Sequence, residues 1–196
     1  MSAYVVDPYI QKLLMRSPWL AYAVYLYGPL VSYPFTITAN FTAAGSPAPI
    51  LNQVSGDDPL DRDILIHKVG VDIQTKDFNT ASIFKPEADL AYDQTSGIQA
   101  TVTQRGGAFG KQYDQIPLKD IDALCPMMLL TEQKLLVSFF VTTLLPSDST
   151  VVTLTFYGET SQKDAVFRMD PNKILDSLEA LGYFVDQARA FWLSAN

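Results

Sequence analysis

Two residue types that often carry chemistry are almost missing from this chain of 196 residues: it has one cysteine and one histidine. With Cys125 alone, no disulfide closes within one copy, and one chain cannot supply a cysteine-based zinc cluster. Charge is also scarce. Charged residues make up 18% of the chain and hydrophobic ones 48%, where a soluble domain usually carries about a quarter charged. So little charge cannot cover a whole surface, and some uncharged surface is expected to meet another molecule. The 14 basic residues against 21 acidic ones leave a net charge of −7. They are scattered, and no short stretch is rich in Lys or Arg. That balance repels a phosphate backbone and an anionic membrane surface, so neither nucleic acid nor membrane is an expected partner.

A long apolar run is lacking too. The segment 18–35 is the most apolar of the chain, but Pro18, Pro29 and Pro34 interrupt it, leaving Trp19 to Tyr27 as the longest clean piece. A membrane span needs roughly 20 such residues. Asp7, Pro8, Lys12 and Arg16 break up the N-terminus, so it does not read as a secretory signal.

What is present reads as three parts. Residues 1–35 form an apolar N-terminal arm, with a short helix over 8–16 started by Pro8. The piece Trp19 to Tyr27 is apolar or aromatic on every side and must be covered all round. Residues 36–160 read as a β domain. Phe35, Ile37, Ala39 and Phe41 alternate with Thr36, Thr38 and Asn40, the period of a half-buried strand. Leu65, His67, Val69, Val71 and Ile73 are expected to share one strand face, and Ile98, Ala100 and Val102 mark another strand. Leu135 to Leu145 is a long β run that Pro146 to Ser149 turns into Thr150 to Tyr157, an expected hairpin. One or two helical turns are expected over 117–124. Residues 168–196 form an amphipathic C-terminal helix. Asp170 caps it, Pro171 starts it, and Ile174, Leu175, Leu178, Leu181, Val185, Ala188, Phe191 and Trp192 form its stripe. Gly182 weakens its middle and can split it. Strands joined by Pro/Gly-rich turns, without helices between them, predict a mainly β fold: an antiparallel, jelly-roll-like β-sandwich.

The search for chemistry yields little. His67 reads as a satisfied core or interface histidine, and no nucleophile-elbow motif offers it a partner. Cys125 lies in an apolar run and reads as a buried, inert thiol. Asp57, Asp58, Asp61 and Asp63 read as a solvated acidic loop; calcium is the alternative, but the spacing is not that of an EF-hand. The stretch from Gly106 to Gly110 reads as a turn rather than a phosphate loop. No catalytic residue, metal ligand or cofactor site is expected, and the chain is not expected to be an enzyme.

The layout resembles bacteriophage virion structural proteins, in which a β-sandwich carries terminal arms that lock subunits together. The resemblance lies in Phe35 to Phe41, the loop Gly45 to Pro49, and Leu135 to Val141 with its following hairpin, spanning roughly 35–160. It implies a capsid, decoration, vertex or tail component located in a virion; a cytoplasmic protein is the alternative location. The expected partners are copies of the chain itself or other virion proteins, in a homo-oligomer. The expected interface residues are Trp19, Tyr22, Tyr25, Tyr27, Phe191 and Trp192, with Tyr suited to contacts that are apolar on one side and wet on the other. The rival reading is a carbohydrate- or receptor-binding sandwich.

Overall fold

The computed structural model describes residues 6–41, 50–53, 62–76, 85–86, 98–105, 111–113, 115–131, 133–141 and 149–193. Asp57, Asp58, Asp61, the Gly45 to Pro49 loop and the Gly106 to Gly110 turn lie outside these residues.

The described strands form two antiparallel sheets. The first contains β1 (Val31–Phe41), β10 (Ser149–Thr160), β3 (Ile64–Lys76) and β4 (Lys85–Pro86) in that order, with β8 (Met127–Leu129) also paired to β3. The second runs β2 (Ile50–Gln53), β9 (Lys134–Val141), β5 (Ile98–Arg105) and β6 (Lys111–Gln112), with β7 (Ile116–Pro117) on β5. The inward side chains of both sheets meet in one core. Ile37, Val152, Leu154, Phe156, Ile66 and Val69 of the first sheet face Ile98, Val102, Leu135, Val137 and Phe139 of the second. This is the antiparallel sandwich that the alternating strands predicted. Buried Gln104 of β5 ties the sheets at one end by donating to the Met128 carbonyl of β8, 2.8 Å away.

Two strand expectations need correction. The run from Leu135 does not form a hairpin with the strand after Pro146. β9 pairs with β2 and β5 in the second sheet, while β10 pairs with β1 and β3 in the first. Two neighbouring strands with one apolar face each can either pair edge to edge or face each other across a core. Alternation is the same in both cases, and here the chain crosses between sheets. The second correction concerns β3. Its register against β10 shifts at Tyr157 and Gly158, leaving His67 as the extra residue of a bulge. A bulge exchanges the two faces of a strand. Ile64 and Ile66 therefore join Val69 and Ile73 in the core, while Leu65 points away from it. His67 is exposed, not a core residue, and its Nε2 sits 2.8 Å from Glu159 Oε2. Past the bulge, Asp122 of a 3-10 turn (Leu118–Leu124) accepts the Val69 N–H at 2.8 Å. That edge of β3 lies between β8 and β4 and would otherwise leave a donor bare.

The ends of the chain build a separate helical layer. Helix α1 (Pro8–Leu14) starts at an Asp7 cap, α2 (Pro18–Tyr27) at a Ser17 cap and α3 (Pro171–Ala180) at an Asp170 cap. Each has proline at its first turn, where a missing N–H costs nothing. The expected single C-terminal helix is two helices, α3 and α4 (Asp186–Leu193). Gly182 splits them at φ +91°, with Gly182 N–H donating to Glu179 O and Tyr183 N–H to Leu178 O. That is the hydrogen-bond pattern of a left-handed helix stop, which favours glycine.

The N-terminal segment is thus not an extended arm. Its helices bury Leu13, Leu14, Leu20 and Ala21 against Ile174, Leu178, Val185 and Trp192 from the C-terminal end of the same chain. Residues 31–35 already belong to β1. The layer sits where Leu65 of β3 and Met128 of β8 face away from the sandwich core. A wholly apolar segment needs cover, and the terminal helices of its own chain supply much of it.

Candidate interaction surface

One buried carboxylate positions the helical layer. Asp63, just before β3, is 1% exposed. Its Oδ2 accepts a short hydrogen bond from the Ser17 hydroxyl. Its Oδ1 accepts the Thr131 N–H at 2.8 Å and the Thr131 hydroxyl at 2.7 Å. Its backbone carbonyl accepts the Thr160 hydroxyl at 2.6 Å. Ser17 in turn accepts the Leu20 N–H at 3.0 Å as the cap of α2. Asp63 therefore links the start of α2, the start of β3, the β8–β9 connection and the end of β10. Burial pushes its carboxyl above the usual range, and the donated hydrogen bonds oppose that rise. Asp63 is thus buried and hydrogen-bonded rather than part of a solvated acidic loop. The signal available was Ser17-Pro18, a helix start whose cap hydroxyl also needs an acceptor.

The structure divides the six expected interface residues. Trp192 is 4% exposed and packs inside its own chain. Its ring meets Trp19 edge to face with centroids 5.3 Å apart. Half-buried Trp19 is held by its Nε1–H, which donates to the Met169 carbonyl at 2.9 Å. These two tryptophans join the N- and C-terminal segments to each other. Tyr22 is half-buried and stacks on Tyr25 at 6.3 Å. Tyr25, Leu26 and Tyr27 at the end of α2 are exposed, and so is Phe191 on α4.

A more prominent aromatic follows the Gly182 stop. Phe184 is 80% exposed. Its N–H donates to Gln11 Oε1 at 2.9 Å, and its carbonyl accepts Gln11 Nε2–H at 2.9 Å. One amide side chain from α1 thus holds the Phe184 backbone from both sides. Read as part of a continuous helix, Phe184 lies beside the apolar stripe. With the helix ended at Gly182, it leaves that register and points outward. Next to it lie Pro8, Lys12, Met15 and Asp186. Met15, itself exposed, also borders a groove of about 250 Å³ walled by Arg16, Lys111, Tyr113, Phe191 and Trp192. Lys111 Nζ lies 4.6 Å from the Tyr113 ring centroid. Elsewhere on the layer, Arg189 of α4 bridges Asp176 and Glu179 of α3 at 2.9 and 2.8 Å.

Among the described residues, the reactive side chains do not converge. His67 meets Glu159 on the surface. Cys125 is half-buried rather than buried, and burial with nearby Asp122 pushes its thiol up to about 11. A thiol so shifted is a poor nucleophile at neutral pH. Among the described residues, no group of three or more His, Cys, Asp or Glu side chains is placed to hold a metal ion. No helix among them is long and apolar enough to cross a membrane. No protein-family model matches the chain, and no curated protein matches it.

Proposed function

We propose that this chain is a structural assembly protein, a virion component of the capsid, decoration, vertex or tail kind, acting by non-catalytic contact with neighbouring subunits. The carrying observation is the exterior of the helical layer. After Trp192 and the inner faces of α1 and α2 are buried within the chain, Tyr25, Leu26, Tyr27, Phe184 and Phe191 still face outward. Aromatic side chains held rigidly at a surface lose little entropy on contact and serve as interface anchors. The sandwich supplies a stiff body, and the capped helices hold these anchors in place. In this reading the terminal segments lock onto neighbours as a folded layer rather than as a strap.

Sedimentation tests the reading, applied to the native extract and to the purified full chain over a concentration series. The chain is expected in assemblies much larger than one copy in the extract. If it sediments as a monomer in both samples, the reading is overturned.

A further inference from the structure

We infer that the hollow between α1 and the bulged start of β3 is a binding site for a carboxylate carried on a short apolar stem. Such a site can exist whether or not the chain assembles. The hollow encloses about 170 Å³; for scale, an apolar cavity of about 150 Å³ takes a benzene ring. Its apolar part is Leu13 of α1, Leu65 of β3 and Pro126. Leu13 and Leu65 are buried core residues of the helical layer, so this floor is fixed in place. Its polar part comes from Tyr9, Lys12 and Arg16, with His67 beside them. Residues 9, 12, 13 and 16 recur at three- and four-residue spacing, so a single face of α1 and the turn after it meets the hollow. The Arg16 N–H still donates to Leu13 O at 2.8 Å, which holds Arg16 one turn beyond Lys12. From β3, Leu65 and His67 stand two residues apart and share a strand face.

The charges around the hollow are unevenly committed. Among the described residues, neither Lys12 nor Arg16 forms an ion pair. The nearby carboxylates are engaged: Glu159 sits 2.8 Å from His67 Nε2, and Asp7 accepts the Tyr9 N–H at 2.8 Å. Neither carboxylate lines the hollow itself. Asp186 lies with Lys12 on the Phe184 side of α1 and does not pair with it. On its other side, Arg16 borders the groove that holds Lys111, whose described lining has no carboxylate. Burial, with Glu159 and Asp7 nearby, raises the Tyr9 phenol, so its hydroxyl stays a donor. In a chain of net charge −7, this one hollow thus gathers two unpaired cations and a hydroxyl donor. A carboxylate accepts from all three and gains charge-assisted bonds from Lys12 and Arg16. The floor of Leu13, Leu65 and Pro126 favours CH₂ groups behind that carboxylate. A bare phosphate would desolvate against the same floor without polar partners there.

The test is an amide chemical-shift titration of the purified full chain by NMR, at fixed ionic strength, with pentanoate, pentanamide and inorganic phosphate. Pentanoate is expected to give saturable shifts confined to the hollow: Tyr9, Lys12, Leu13, Arg16, Leu65 and His67. Pentanamide has the stem without the charge, and phosphate the charge without the stem. Each is expected to bind about 10-fold more weakly, or worse. Lys12→Gln combined with Arg16→Gln should weaken pentanoate about 10-fold or more. Thermal unfolding is the control for folding and should change little, because Lys12 is exposed and Arg16 is only half-buried. A capped tripeptide with a central glutamate separates the two sources of such a group. Shifts at the same residues, lost in the double variant, assign the site to an acidic side chain of a partner protein; exclusion of the peptide assigns it to a free acid. The inference is overturned if pentanoate gives no localised, saturable shift, if pentanamide or phosphate matches it, or if the double variant binds it unchanged.

Discussion

Replacing Asp63 by alanine should cost about 2–4 kcal/mol of folding stability. The substitution removes the acceptor for three donors: the Ser17 hydroxyl, the Thr131 N–H and the Thr131 hydroxyl. A buried donor left without a partner costs about 1–3 kcal/mol. Ser17 is fully buried and bears that cost in full, whereas half-buried Thr131 recovers part of its loss from water. Removing a desolvated carboxylate returns some free energy, which keeps the sum below three full penalties. For a chain of this size, 1 kcal/mol moves the midpoint by about 2–4 °C, so a drop of roughly 5–15 °C is expected. Urea unfolding gives the free energy directly.

Asp63→Asn separates charge from shape and gives the pH dependence a sign. The folded carboxyl sits above its ordinary value because of burial. The folded state therefore holds its proton where the unfolded state has released it. The stability this group contributes is fully present below the unfolded pKa, near 4, and declines as pH rises from there through the folded value. Asparagine does not titrate. The stability advantage of the wild type over Asp63→Asn should shrink as pH rises above about 4 and then level off. The reasoning is refuted if Asp63→Ala costs less than about 0.5 kcal/mol, or if the wild-type advantage over asparagine grows with pH across that range.

Two further outcomes follow from local geometry. Gly158→Ala should destabilise by about 1–3 kcal/mol in urea unfolding. A Cβ there would lie 2.6 Å from Ile64 Cγ2 and 3.0 Å from the Tyr33 carbonyl oxygen, opposite the bulge. Cys125, with its thiol near 11, should react with a disulfide reagent at pH 7–8 about 100-fold more slowly than an ordinary exposed cysteine. Its rate should keep rising towards pH 11, and a plateau near pH 9 would show an unperturbed thiol.

Much of the local structure could be read from residues a few positions apart. Alternation at Phe35 to Ala39 and at Val152 to Phe156 named the inward faces correctly, because side-chain direction in a strand depends only on parity. Asp170-Pro171 marked a helix start, and Gly182 marked the break, since caps and positive φ act within one turn. The spacing of Val185, Ala188 and Trp192 identified the buried side of α4, although Phe191, on the same predicted stripe, faces outward. An eight-residue helix packed on one side buries a narrower stripe than a long one.

Other features depended on contacts between distant parts of the chain. Whether two alternating strands pair or face each other is not encoded in their alternation, so β9 and β10 read as a hairpin although they lie in different sheets. One extra residue at His67 reversed the faces of β3, and such a bulge leaves no periodic mark of its own. Composition showed that the segment from Trp19 to Tyr27 needs cover; it could not show that Ile174, Val185 and Trp192, some 150 residues later, provide it. The same holds for Asp63 and for Phe184. Each was one more acidic or aromatic residue until Ser17, Thr131 and Gln11 were brought beside them, because burial and hydrogen-bond partnership belong to the packed chain and not to any stretch of it.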